Sequence, residues 1–255
     1  DPRLAAALAQ GFACDYPDDP LYDLRASLTP EQQARARALG RESAEVVEKL
    51  LKVDAKPGMT EFHLGGAVAG WLRDRGILAH VCLIASDERL ARYRHPIPTA
   101  KPIDKVAMVA ICAQRQGLIV SLTRIVHFGP LSEDRRRRHE ACTAVDRALH
   151  AATTAGARWC DILATGVREY AARGFADEWK LHHQGGPMGF ECRDFKATPE
   201  ETRPVQPHQL VGWNPSISGT KSEDTILTSP AGAPSVITRT GEWPETQGRP
   251  DILVR

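Results

Sequence analysis

The amino-acid sequence predicts an α+β fold made of two similar α/β halves that face each other across a central cleft. Amphipathic helix patterns alternate with short apolar strand patterns, and a weak repeat relates residues 57–76 to residues 155–174. With 255 residues, of which 42% are hydrophobic, the chain can bury a sizeable core. We therefore predict one large domain over residues 27–255. Residues 1–26 are predicted to be a lead segment, either a processed start or the tail of a missing N-terminal domain.

Local signals define the predicted elements in order. Thr29 and Pro30 supply an N-cap and a first helical residue, so a helix begins there and runs to about Lys52. A second helix begins near Thr60 and ends at Gly76. Three short apolar strands follow, over residues 79–85, 106–113 and 117–127, with a hairpin turn at 115–117. Two further helices are predicted over residues 131–152 and 159–173.

The internal repeat supports the division into two halves. In the alignment at an offset of about a hundred residues, Gly58 matches Gly156 and Gly76 matches Gly174. Each half then has the order helix, helix, strands. This order predicts two α/β units with a cleft between them.

Charge and composition exclude several classes of protein. A formal net charge of +1 gives no general attraction for nucleic acid or anionic membranes, and the basic run 135–138 is predicted to be the exposed first turns of a helix. No apolar run approaches the ~20 residues of a membrane span. The six cysteines contain no Cys-x-x-Cys pair, which favours reduced thiols over a disulfide framework or a zinc site. We therefore predict a cytoplasmic protein with neither a nucleic acid nor a membrane as partner.

Three stretches carry a resemblance to a known family. They are residues 106–113 with 117–124, residues 182–189, and residues 212–215 with 223–227. Together they resemble the pita-bread fold shared by methionine aminopeptidase, Xaa-Pro aminopeptidase and creatinase, over roughly residues 27–240. The resemblance implies a homodimer and a substrate in the cleft.

The resemblance also implies five metal-ligand positions, most of which are changed here. Members of the family that use two metals place two Asp, one His and two Glu at the positions that hold Ala110, Ser121, His182, Asn214 and Glu223 in this sequence. Three carboxylates are therefore missing. Because a pair of divalent ions needs bridging anionic oxygens, we predict no metal and no other cofactor. Binding of one ion by His182 and Glu223 stays open.

His95 is the predicted proton-transfer residue. It lies in Tyr93-Arg-His-Pro-Ile-Pro-Thr99, between a strand and a proline-rich loop, so its imidazole can face a cleft. An imidazole titrates near neutral pH and can accept and return a proton. The resemblance places His95 where creatinase, a metal-free member, carries its acid/base histidine. A loop histidine without a role remains the alternative.

The glycine-rich segment after Leu181 supplies further candidates. Gly185 and Gly186 allow close approach of a substrate, and their amides can bind an oxyanion or a carboxylate. Adjacent strand residues point to opposite faces, so only one of His182 and His183 is expected to enter the cleft. The resemblance favours His182 as catalytic, which leaves His183 a structural or substrate-binding role. The family's second histidine is replaced by Gly189, which argues against ordinary aminopeptidase activity.

Charged and aromatic neighbours complete the predicted site. Glu191 and Arg193 alternate along the chain, so on a strand they would share one face and clamp a substrate, or form a plain surface ion pair. We assign Glu191 and Glu223 to catalysis, and Arg193, Ser121 and Asn214 to substrate binding. Trp213 is a candidate pocket wall or a core residue.

The sequence therefore predicts a metal-independent, creatinase-like enzyme with His acid/base chemistry on a small amino-acid-derived substrate. By analogy with the family, C–N bond hydrolysis is the first expectation. Two alternatives stay open. One is a non-hydrolytic lyase, isomerase or cyclase, and the other is a non-catalytic module that binds peptides or proteins.

Overall fold

The computed structural model describes residues 22–255, so residues 1–21 of the predicted lead segment lie outside the described residues. The helices are α1 (Tyr22–Ala26), α2 (Pro30–Lys49), α3 (Glu61–Arg73), α4 (Arg89–Arg92), α5 (Glu133–Ala152) and α6 (Trp159–Ala172). The longer strands are β1 (Leu78–Ser86), β2 (Val106–Arg115), β3 (Leu118–His127), β4 (Gly185–Met188), β5 (Leu210–Trp213) and β8 (Asp224–Leu227). Two-residue strands are β6 (Ser216–Ile217), β7 (Thr220–Lys221), β9 (Ser235–Val236), β10 (Glu245–Thr246), β11 (Arg249–Pro250) and β12 (Leu253–Val254).

Helix α2 begins where the sequence predicts. The Thr29 hydroxyl accepts from the Gln32 amide at 3.3 Å, and the Gln32 side chain accepts from the Thr29 amide at 2.9 Å, so two free amides of the first turn are satisfied. The helix ends at Lys49, slightly before the predicted end, and the chain continues as a π-helical turn over Leu50–Asp54. Its apolar stripe is buried against β3 and β2.

The main sheet is curved and mainly antiparallel, with the strand order β1-β2-β3-β8-β5-β4. The hairpin between β2 and β3 turns at Gln116 and Gly117, which have φ of 51° and 82°, as a two-residue hairpin turn requires. In this register Ala110 pairs with Thr123 and Cys112 pairs with Ser121.

The backbone confirms the internal repeat. Gly58 and Gly156 have φ of 84° and 87°, and Gly76 and Gly174 have φ of 68° and 81°. Such left-handed conformations strongly favour glycine, which explains why these residues match in sequence. One core cluster lies under α2, α3 and β1 to β3, and another lies among α5, α6 and β5. The predicted α+β fold with two pseudo-symmetric halves is therefore confirmed.

Among residues 22–255, no helix is both long and apolar enough to cross a membrane.

Candidate active site

A cavity of about 150 Å³ opens between the two halves, above the β2–β3 hairpin. Its apolar lining comes from strands β1 and β2, and its polar lining comes from the His95 loop, the segments before and after β4, and the chain from β5 to β8. The lining residues are Val81, Leu83, His95, Ala110, Ile111, Cys112, His183, Cys192, Arg193, Asn214, Lys221 and Glu223. Five predicted site residues therefore line one cavity: His95, His183, Arg193, Asn214 and Glu223.

Glu223 lies at the polar side of this cavity, between two cations. Its Oε2 lies 3.0 Å from Lys221 Nζ, and its Oε1 lies 3.5 Å from the Arg193 guanidinium. The Thr123 hydroxyl donates to Glu223 Oε2 at 2.7 Å. Burial acts to raise the pKa of Glu223, but the two positive charges and the hydrogen bond outweigh it and hold the pKa below the usual value. The carboxylate is therefore ionised and already neutralised by side chains of this chain.

Arg193 is held by backbone contacts rather than by Glu191. Its Nη1 donates to the Cys192 carbonyl at 2.5 Å, and its guanidinium lies over Gly212. A Cβ on Gly212 would lie 2.8 Å from Met188 Sδ and 2.9 Å from Arg193 Nη1, so a larger residue there would displace the ends of these two side chains. The predicted clamp of Glu191 with Arg193 is wrong, because residues 189–194 are bent rather than extended and Glu191 is exposed.

Three histidine rings lie close together near Glu223. The ring centroids are 5.1 Å apart for His95 and His182, 5.8 Å for His95 and His183, and 4.8 Å for His182 and His183. Only one of the adjacent pair lines the cavity, as expected, but it is His183 rather than the favoured His182, and neither residue lies on a strand. His183 lines the cavity, whereas His182 Nε2 lies 3.3 Å from the Asn214 side-chain nitrogen.

The histidines are neutral near neutral pH. Burial, the Arg193 charge and the neighbouring His95 lower the pKa of His183 to about 3. Partial burial and the Lys221 charge lower the pKa of His95, and deeper burial together with Lys221 lowers the pKa of His182 well below its usual value. All three rings therefore have a lone pair that can accept a proton.

The His95 loop is fixed from both halves of the fold. The preceding Arg94 donates to Glu178 at 2.6 Å and to Ser218 at 3.0 Å, both in the second half. The Pro96 carbonyl accepts from the Ile84 amide of β1 at 3.1 Å. His95 itself stays exposed at the cavity mouth, as its position between a strand and a proline-rich loop predicts.

Ser121 and Trp213 do not reach the cavity. The Ser121 hydroxyl lies 3.7 Å from Met188 Sδ and is fully buried beneath that side chain. Trp213 is fully buried in the second core, where its Nε1 donates to the Thr153 hydroxyl at 2.8 Å. Their predicted substrate contacts are corrected, because tight packing separates both residues from the cavity.

Gly185 and Gly186 also have a packing role. Both are buried in β4, with φ of 131° and 156°. A Cβ on Gly185 would lie 2.3 Å from the Gly212 carbonyl oxygen, and a Cβ on Gly186 would lie 2.3 Å from the Phe195 carbonyl oxygen. The glycines thus admit neighbouring backbone rather than the predicted substrate.

Lys221 is the cavity residue that sequence reasoning missed. It lies two positions before Glu223, in Thr220-Lys-Ser-Glu223, and its side chain is 6% exposed. A charged residue two positions from a buried carboxylate is a signal for an ion pair when the segment is extended. Cys112 and Cys192, which the sequence did not assign to the site, also line the cavity.

The residues around Glu223 do not fit a pair of divalent metals. Ala110 offers no donor atom, Ser121 is covered by Met188, and Asn214 is neutral. The carboxylate of Glu223 is paired with Lys221 and Arg193, so the positive charge that metals would supply is present as side chains. One nitrogen from each of His95, His182 and His183 lies within 4.8 Å of the others, a spacing that admits one ion, although Lys221 opposes a cation there.

Four buried polar atoms around the cavity have no hydrogen-bond partner within residues 22–255. They are His182 Nδ1, His183 Nδ1, Arg193 Nε and Asn214 Oδ1. Because unpaired buried polar groups are costly, their concentration at one place indicates a site for a polar ligand.

Comparisons with known proteins agree with the fold. The model of metallopeptidase family M24 matches residues 34–230. Prolidase from Pyrococcus furiosus has a TM-score of 0.80 at 19% identity, over 88% of this chain and 68% of that chain. X-Pro aminopeptidase from Thermotoga maritima has a TM-score of 0.79 at 15% identity, over 93% of this chain and 67% of that chain.

Methionine aminopeptidase from Rickettsia prowazekii is also similar, with a TM-score of 0.68 at 13% identity, over 84% of this chain and 99% of that chain. The present chain spans about two thirds of the length of the prolidase-like structures, from 62% to 68%. A comparison of the sequence with curated proteins gives no significant match.

Proposed function

The chain belongs to metallopeptidase family M24. We propose that it is a metal-independent enzyme of that fold, because Lys221 and Arg193 both contact Glu223, the one acidic residue left at the family's metal-ligand positions. His95 transfers a proton, and the substrate is a small amino-acid-derived molecule. Hydrolysis of a C–N bond is the proposed reaction.

The observation that carries this proposal is the ion-pair arrangement at Glu223. Lys221 and Arg193 lie 3.0 Å and 3.5 Å from its two oxygens, where they balance its charge without an added ion. The side chains of Lys221 and Arg193 are largely buried, and fixed cations of this kind stabilise developing negative charge because they need little reorganisation during the reaction. They therefore supply the electrostatic help that metal ions supply in a two-metal site.

In this proposal His95 carries out the proton transfer. In hydrolysis, a water molecule attacks the carbon of the C–N bond while His95 accepts one of its protons. The bond to nitrogen then breaks, and His95 returns the proton to the departing nitrogen. The water oxygen ends on carbon, and His95 recovers its neutral form. His183, stacked at 5.8 Å between ring centroids, lies beside His95 in the same cavity.

The cavity size supports a small substrate. A volume of about 150 Å³ is below the ~300–1,000 Å³ usual for drug-sized ligands, so a long peptide does not fit inside it. The similar solved structures are a prolidase, an X-Pro aminopeptidase and a methionine aminopeptidase. Their names indicate substrates that are built from amino acids. An amino-acid-derived compound is consistent with both observations.

A metabolite-profiling experiment tests the proposal. The purified protein is incubated with a small-molecule extract in water enriched in oxygen-18, and mass spectrometry records which compounds disappear and which appear. We expect a compound whose products carry one heavy oxygen, with turnover lost at least about a hundredfold in His95→Gln, in the range that general acid-base catalysis supplies. The control is His63→Gln, on the exposed side of α3.

Three other results would redirect the proposal. Turnover without heavy oxygen would indicate a lyase, isomerase or cyclase. Unchanged turnover in His95→Gln would remove the proposed role of His95. Absence of turnover, together with retention of a peptide or protein, would support a binding module.

A further inference from the structure

We infer that the cavity recognises a ligand with a carboxylate and, a few atoms away, an N–H donor, and that Arg193 and Lys221 bind the carboxylate. Asn214 Oδ1 accepts from the N–H group. This inference gives a substrate class to the site of the proposed function and rests on it for turnover, but the binding that it describes requires no reaction.

The charges that line the cavity are not balanced. Two cationic side chains, Lys221 and Arg193, line it together with one carboxylate, Glu223. These three side chains carry one net positive charge. Arg94 is also near His182, but its charge is paired with Glu178 at 2.6 Å. A buried excess charge favours a ligand of opposite sign, because low local polarity strengthens the attraction.

Both cations have donors that Glu223 does not use. Arg193 Nε has no partner among the described residues, and its Nη2 reaches Glu223 only at 3.5 Å. Lys221 Nζ pairs with Glu223 at 3.0 Å, and an ammonium group has three donors. A guanidinium presents its donors in one plane, which matches the two oxygens of a carboxylate.

Asn214 offers a hydrogen-bond acceptor, in contrast to the donors of Arg193 and Lys221. Its Oδ1 is buried and lacks a partner within the described part of the chain, whereas its side-chain nitrogen lies against His182. A ligand donor would satisfy it. The remaining wall is apolar, formed by Val81, Leu83 and Ile111, so a short aliphatic unit between carboxylate and N–H group is accommodated there.

A pair of matched probes tests the inference by binding alone. N-acetylglycine carries one carboxylate and one amide N–H, and N-acetylglycinamide has nearly the same shape without the charge. Calorimetric titration of the full chain measures both. We expect N-acetylglycine to bind at least about tenfold more tightly, as charge-assisted hydrogen bonds imply, with a preference that falls as salt is added.

Two variants and one control locate the preference. Arg193→Gln and Lys221→Met are each expected to reduce the preference at least about fivefold, whereas Lys56→Met, at an exposed lysine outside the cavity, leaves it unchanged. Thermal unfolding reports whether each variant is folded. If Lys221→Met does not fold, the selectivity of the wild-type chain and of Arg193→Gln still decides the question.

The inference is overturned if the two probes bind equally, if neither binds at millimolar concentration, or if both variants keep the full preference. It is also overturned if inorganic phosphate binds more tightly than N-acetylglycine, since the site would then select a different anion. Loss of charge selectivity together with His95-dependent turnover would leave the proposed function standing. Charge-selective binding without turnover would leave the carboxylate site standing alone.

Discussion

Replacement of Lys221 by Met tests the ion pair at Glu223. The substitution removes one positive charge from a residue whose side chain is 6% exposed and leaves the Glu223 carboxylate, 5% exposed, with Arg193 at 3.5 Å. Two unit charges 3.0 Å apart attract by about 5.5 kcal/mol at an effective dielectric constant of ~20. Breaking a buried pair costs about 3–5 kcal/mol, and the remaining Arg193 favours the lower end, about 3 kcal/mol.

The loss of stability depends on pH. In the wild type the folded-state pKa of Glu223 is depressed, so its contribution is present above the unfolded-state pKa and is lost as the pH falls through the folded value. Without Lys221, burial is opposed by one cation fewer, and the pKa of Glu223 rises. The carboxyl group can then take up a proton in mild acid, which removes the cost of burying its charge. The variant is therefore most destabilised relative to the wild type at alkaline pH.

Thermal unfolding at about pH 8 and about pH 5 measures this effect. At the higher pH we expect a melting temperature about 6–12 °C below that of the wild type, and a smaller difference at the lower pH. A second change, Glu223→Gln, removes a buried carboxylate that has only the 3.5 Å contact to Arg193 left, and it is expected to restore part of the loss. An equal loss at both pH values, a loss below about 1 kcal/mol, or no rescue by Glu223→Gln would refute the reasoning.

Three further predictions concern other residues. Gly212→Ala places a Cβ within 2.9 Å of the Arg193 guanidinium, so binding of N-acetylglycine should weaken about tenfold in calorimetry, and unchanged affinity would contradict that packing. Arg124→Met leaves the buried Glu48 without its ion-pair partner and Asp224 with Arg249 alone, and denaturant unfolding should show a loss of about 3–5 kcal/mol; a loss below about 1 kcal/mol would contradict the importance of these ion pairs. Hydrogen bonding to Cys112 lowers the pKa of Cys192 to about 7, whereas burial raises the pKa of Cys142. Iodoacetamide at about pH 7 should therefore modify Cys192 well before Cys142 in peptide mass spectrometry, and the reverse order would refute this assignment.

Local chemistry made much of the fold predictable. The Thr29 cap, the glycines of the repeat and the hairpin turn at 115–117 are short-range signals, and the structure confirms each of them. These features depend on backbone preferences that neighbouring residues set. The end of α2 was harder to place, because the chain passes into a π-helical turn without a sequence break.

The site was less predictable, because its residues meet through tertiary contacts. The roles given to His183 and Glu191 assumed an extended chain, whereas the segments around both residues are irregular. Trp213 is held in the core by a hydrogen bond to Thr153, which is distant in sequence. Lys221 was not predicted as a site residue, because its importance comes from its ion pair with the buried Glu223 rather than from any motif.

Metal analysis of the native protein tests the central claim most directly. The protein is purified without chelators, supplied with manganese, cobalt and zinc, dialysed, and assayed for bound metal and for turnover before and after chelation. Because Lys221 and Arg193 already neutralise Glu223, we expect far less than one ion per chain and activity that chelation leaves unchanged. Retention of one or two ions per chain, with activity that disappears on chelation and returns with the metal, would contradict the account.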